Sequence, residues 1–150
     1  MPTSKIEAAE LIEAARAAKP VTYAALAEKI NRPPVWTVAA LHGQHPMEAA
    51  DAQAICDELG LDGDVAAALQ RFPNRGEGLP AVPTDPTIYR FHEAVQVYGS
   101  ALKALIHEEF GDGIMSAINF SIDVDRVEHP NGDRVKVTME GKFLKYQWEG

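Results

Sequence analysis

Six residues that break regular structure, Pro73, Gly76, Gly78, Pro80, Pro83 and Pro86, crowd into the 14 positions 73–86. Proline fixes φ and lacks an N–H, and glycine resists being held in one conformation, so no helix or central strand can run through such a stretch. The chain of 150 residues is thereby divided into an N-terminal region, 1–72, a linker, 73–86, and a C-terminal region, 87–150. A chain of this length buries roughly 68–70% of its unfolded surface and needs no staple to fold. Cys56 is the only cysteine, which excludes an intramolecular disulfide and a Cys-rich zinc site, and which suits a reducing compartment. No apolar run approaches the ~20 residues of a membrane span, and no uncharged apolar segment follows the initial Met. A cytoplasmic protein without a membrane partner is the expectation.

Residues 1–72 read as short helices. Ser4 and Glu7 have the spacing of a capping box, and Ala8, Leu11, Ile12 and Ala15 follow on one face until Pro20. Thr22 caps a second helix, with Tyr23, Leu26, Ala27 and Ile30 at i, i+3, i+4 and i+7. Pro33 and Pro34 suit the first turn of a third, ending near Leu41 with Gly43 as a stop. A fourth is predicted from about Pro46 to Leu59, stopped by Gly60, and a fifth from the cap Asp62 to near Arg71.

Short helices joined by tight turns fit a λ-repressor-like bundle, so a helix-turn-helix DNA-binding regulator is one reading. Its chemistry is poor. Residues 33–41, where a recognition helix would lie, contain no Arg, Lys, Asn or Gln to address base edges. Split at Pro80, each half of the chain carries 7 basic against 11 acidic residues, a net charge of −4 in each and −8 in total. Neither half has the basic excess that phosphate binding uses, so no nucleic-acid partner is expected.

The C-terminal region changes period. Asp85 and Pro86 are an N-cap and a first-turn proline, and from there to Phe110 a helical pattern runs to Gly111. Ile88, Phe91, Val95, Tyr98, Leu102, Leu105 and Phe110 mark one face, expected to be core. The opposite face holds Arg90, Glu93, Val97, Ala101 and Ala104, mostly small or apolar, so a second element can approach it. Arg90 and Glu93 are helical neighbours; as a plain surface ion pair they are worth ~0–1 kcal/mol. As chemistry, they are a guanidinium able to hold an anion and a carboxylate beside it. After Gly111 the period becomes two: Ile114, Ser116, Ile118, Phe120, Ile122 and Val124 share one parity. Ser116 is the polar exception on that parity, either a small core serine bonded to backbone or a hydroxyl aimed into an enclosed site. Pro130, Asn131 and Gly132 signal a turn, Val135, Val137 and Met139 a second strand, Gly141 another turn, and Phe143 to Trp148 a third strand. The class is α+β: a helical bundle, then a long helix and a short antiparallel β region. Three strands and one two-faced helix cannot cover their own edges, which predicts an obligate oligomer with sheets pairing or interlocking between subunits.

Other chemistries are missing. There is no Gly-rich phosphate loop, no His-Glu-x-x-His and no Cys-x-x-Cys. His42 and His45 stand at i, i+3 without a completing ligand, so no metal site is expected.

The segments Pro83-Thr84-Asp85-Pro86-Thr87-Ile88-Tyr89-Arg90-Phe91, Gln96-Val97-Tyr98-Gly99 and Phe110-Gly111-Asp112-Gly113-Ile114-Met115-Ser116-Ala117-Ile118-Asn119-Phe120 resemble the signature region of the cyanase family, also called cyanate hydratase or cyanate lyase. The resemblance extends over essentially the whole chain and is strongest after Pro83. It implies a lyase of nitrogen metabolism that removes cyanate: bicarbonate-dependent decomposition to ammonia and carbon dioxide by way of carbamate. It further implies Arg90, Glu93 and Ser116 as catalytic residues, with Arg90 and Ser116 binding the substrate anions, and neither metal nor organic cofactor. A decamer of five dimers with interlocked C-terminal regions, and active sites between subunits, is implied in the same way. A catalytically silent oligomeric interaction protein is the remaining alternative beside the DNA-binding regulator.

Overall fold

The structure, a computed structural model, describes residues 3–147 and 149. The chain forms two compact units, Met1–Gly78 and Leu79–Gly150.

The first unit contains α1 (Lys5–Ala18), α2 (Tyr23–Lys29), α3 (Pro34–Leu41), α4 (Ala49–Leu59) and α5 (Gly63–Gln70). Local caps start most of them. The Glu7 N–H donates to Ser4 Oγ at 3.1 Å while the Ser4 N–H donates to Glu7 Oε2 at 2.7 Å, a complete capping box. Thr22 Oγ1 accepts from Ala25 N, and Asp62 Oδ1 accepts from the N–H groups of Asp64 and Val65. Gly60, at φ 73, takes the left-handed conformation that ends α4. Helix α4 begins at Ala49 rather than near Pro46, because Met47 is buried and its N–H donates to Leu69 O at 2.9 Å. That long-range bond draws residues 46–48 onto the end of α5 and out of the helix. The core of the unit is built on Ile12, Leu26, Leu41, Ile55, Val65 and Leu69. Cys56 belongs to it; burial, with help from Asp57 and Asp62, pushes its thiol up to about 11, so it is packing material and not a nucleophile.

A polar cluster edges this core. Arg16 donates from Nε and Nη2 to Glu13 at 3.2 and 3.1 Å, and the Tyr23 hydroxyl donates to Glu13 Oε1 at 2.5 Å. The Arg16 guanidinium, then the Tyr23 hydroxyl, hold the Glu13 carboxyl below its ordinary value of 4.5. A carboxylate with a depressed folded pKa adds stability that is present above its unfolded pKa and is lost as pH falls through the folded one. The Glu13→Gln variant is therefore expected to melt below the parent at pH 7, by the ~0.5–1 kcal/mol of a partly exposed pair. The gap should narrow as pH falls below the ordinary carboxylate value and close once pH has fallen through the lowered folded one, in thermal or urea unfolding.

The second unit contains α6 (Pro86–Phe110) and the antiparallel strands β1 (Gly113–Val127) and β2 (Arg134–Lys145). Asp85 Oδ1 accepts from the Thr87 and Ile88 N–H groups and Pro86 occupies the first turn, so the entry to α6 is locally encoded. At the far end Gly111, at φ 87, donates its N–H to His107 O. No residue of this 25-residue helix is buried within the chain; Val95 and Val97, on different faces, are each 61% exposed.

The third strand expected beyond Gly141 does not exist among the described residues; Trp148, its predicted end, lies outside them. Nor does Gly141 turn the chain. β2 runs straight through it to Lys145, pairing Gly141 with Phe120 and Phe143 with Met115. The register shifts between these pairs, so residues 116–119 of β1 face only Lys142 of β2. This bulge also breaks the expected alternation: Ser116 is 4% exposed, but Ile118, of the same parity, is 98% exposed.

Candidate active site

Arg90 lies in the second turn of α6, where the cap formed by Asp85 and Pro86 sets the helix start and so the direction of its side chain. Its Nε donates to Pro86 O at 3.2 Å and its Nη1 to Glu93 Oε2 at 2.7 Å. The guanidinium carbon lies 5.5 Å from the centre of the Tyr89 ring. A guanidinium has five N–H donors; here Nη2 keeps both of its own free of any partner among the described residues. The side chains of Arg90 and Glu93 are 65% and 47% exposed in the single chain. Glu93 thus orients one edge of the guanidinium and leaves another edge for a ligand.

Ser116 is at the opposite end of α6 and is enclosed. Its Oγ accepts from the N–H groups of Ile118 and Asn119, both at 3.0 Å. A hydroxyl offers one donor and two acceptor lone pairs. Both lone pairs are engaged by the bulge, so what remains for a ligand is the O–H. The arrangement makes Ser116 a hydrogen-bond donor. Attack on an electrophile through Oγ would require a lone pair that is already in use.

One chain joins Arg90 with Glu93 but does not join either with Ser116. From Arg90 to Phe110 the helix rises about 30 Å. Phe110 stacks on Phe143 with ring centres 5.1 Å apart, and Phe143 pairs with Met115, so the Ser116 end of the hairpin is held at the C-terminal end of α6. The residue that sequence reasoning missed is Gly141. It was legible only as a turn-former, whereas its structural property is proximity: a Cβ placed there would collide with the carbonyl oxygen of Ser116 and come within 2.6 Å of Met115 Cγ. No three His, Cys, Asp or Glu side chains among the described residues form a group able to hold a metal ion.

Comparison with known proteins gives consistent matches across both units. Residues 5–73 match the family model described as cyanate hydratase, N-terminal, and residues 80–148 match that of the cyanate lyase C-terminal domain. The chain is 61% identical to a cyanate hydratase of Mycolicibacterium vanbaalenii, over 91% of this chain and 90% of that one. It is 51% identical to a cyanate hydratase of Pseudomonas savastanoi pv. phaseolicola, over 98% of this chain and 99% of that one. Among solved structures, the crystal structure of cyanase from T. urticae superposes with a TM-score of 0.80 at 41% identity, covering 93% of this chain and 97% of that one.

Proposed function

Because this chain belongs to the cyanate hydratase family, we propose that it decomposes cyanate with bicarbonate, releasing ammonia and carbon dioxide. The observation that carries the reading is the 61% identity to a cyanate hydratase over nine-tenths of both chains. The stoichiometry is OCN⁻ + HCO₃⁻ + 2 H⁺ → NH₃ + 2 CO₂. A bicarbonate oxygen attacks the cyanate carbon, forming a C–O bond, and nitrogen takes up one added proton and the proton that bicarbonate brought. The adduct loses carbon dioxide to leave carbamate, which takes up the second proton and breaks down to ammonia and the second carbon dioxide.

The chemical difficulty is bringing two hydrated, mutually repelling anions into contact. Fixed positive charge and preorganised donors in a closed site replace their water. Arg90 is the clamp, since a guanidinium stays charged and its planar fork matches a carboxylate-like group. Glu93 acts on Arg90, holding Nη1 at 2.7 Å so that the free edge has one orientation. Ser116, with its oxygen tied back by two N–H groups, supplies its O–H to cyanate or to the oxyanion that develops on attack. Holding both anions in register adds several kcal/mol of rate acceleration on general grounds.

The functional unit in this reading is a homo-oligomer, a decamer of five dimers with each site assembled between subunits. Two observations support it: the about 30 Å of helix between Arg90 and the Ser116 end of the hairpin, and the apolar residues left uncovered on α6. A lone helix and a two-stranded sheet bury too little surface to stand alone. Nucleic acid and membranes are not partners in this reading, and its location is the cytoplasm, in keeping with one buried, free Cys56. Purified protein supplied with cyanate should release ammonia only when bicarbonate is present, and should sediment as one species of ten times the 16.3 kDa chain mass. Bicarbonate-independent release, or none, overturns the proposed reaction; a stable monomer at micromolar concentration overturns the shared site.

A further inference from the structure

We propose that Gly141 is a positioning residue for the reaction, holding the Ser116 hydroxyl by letting the β1 bulge fold directly onto the β2 backbone. The proposal rests on the reading of Ser116 as a donor to substrate. In the register of the hairpin, residues 116–119 stand opposite the single residue Lys142, so the extra chain must fold over its neighbours in β2. It folds over Gly141. The carbonyl oxygen of Ser116 occupies space that a Cβ on residue 141 would need, and Met115 Cγ would be 2.6 Å and Phe120 Cδ2 3.3 Å from that Cβ. One of these neighbours is backbone, so a side chain at 141 cannot be accommodated by a rotamer change alone. The same backbone turn brings the Ile118 and Asn119 N–H groups to 3.0 Å from Ser116 Oγ. Displacing the Ser116 carbonyl therefore displaces the hydroxyl and the two donors that tie it. Gly141 is not among the glycines of positive φ. Alanine is allowed there by its own backbone, and what it violates is the space reserved for residue 116.

The test is a double-mutant cycle on the assembled enzyme, with bicarbonate-dependent ammonia release and sedimentation measured for each variant. Gly141→Ala should keep the oligomer and lower kcat by up to about 10²-fold, the scale of a catalytic group misplaced by about 1 Å, with smaller changes in KM for either anion. In the Ser116→Ala background the same substitution should have little further effect, because the hydroxyl it misplaces is already gone. A purely structural glycine would lower activity by the same factor in both backgrounds, and that result overturns the proposal, as does near-normal kcat in Gly141→Ala alone. If Ser116→Ala itself turns over normally, the reading of Ser116 fails and this inference falls with it, a result distinct from failure at Gly141. Should Gly141→Ala not assemble, Met115→Ala is added to remove the side-chain part of the collision. The pair should assemble and retain the loss in kcat. An assembled pair with normal kcat, or a pair that also fails to assemble, assigns Gly141 to hairpin formation alone and overturns the proposal.

Discussion

Arg90→Lys is expected to lower kcat/KM by on the order of 10²–10³-fold while the oligomer persists, the range seen when one preorganised donor to developing charge is removed. Lysine keeps the positive charge, so general attraction of anions survives. It loses the planar fork. In the structure that fork does three things at once: Nε donates to Pro86 O, Nη1 to Glu93, and Nη2 has no partner among the described residues. A single ammonium on a flexible stem cannot be held by helix and carboxylate and still present a second, rigid edge to substrate. The variant is to be assayed by ammonia release across cyanate and bicarbonate concentrations, with sedimentation beside it. Turnover within a few-fold of the parent in an intact oligomer would mean that charge alone suffices at position 90, and the reading of the planar fork as the clamp would fail.

Ser116→Ala is expected to reduce kcat by about 10²–10³-fold, or ~2.7–4 kcal/mol in barrier, through loss of one oxyanion-type donor. The structure adds a consequence that alternation along the strand did not suggest. Ser116 Oγ also accepts from the N–H groups of Ile118 and Asn119, so alanine releases both. Both bonds are only part-buried in the chain, so the loss in stability should stay near the ~1 kcal/mol of an ordinary hydrogen bond. A small change in melting temperature with a large change in kcat is the expected signature. A large loss of stability with proportionate loss of activity would instead make Ser116 a strut of the bulge.

The legible parts of this molecule were those whose cause is local. The capping box of Ser4 and Glu7, the cap at Asp62, and the Asp85-Pro86 start and Gly111 end of α6 each depend on residues within one turn of each other. The parts that were not legible depend on a distant strand or helix. Pro46 looked like a helix start until Met47 was found bonded to Leu69. Gly141 looked like a turn because glycine permits one, yet the same absence of a side chain also permits another strand to come close.

The candidate site divides along the same line. Residue order alone determined that Arg90 and Glu93 would meet, because three residues on a helix are neighbours whatever surrounds them. It also determined that the second unit, so poor in material, would need partners. Only the tertiary structure decided that Ser116 sits in a bulge, with its oxygen tied down and its O–H left over, at the far end of α6 from Arg90. Strand alternation is a local rule with a period of two, whereas the register of β1 against β2 depends on which backbones can come close across the hairpin, as that of Ser116 does to Gly141.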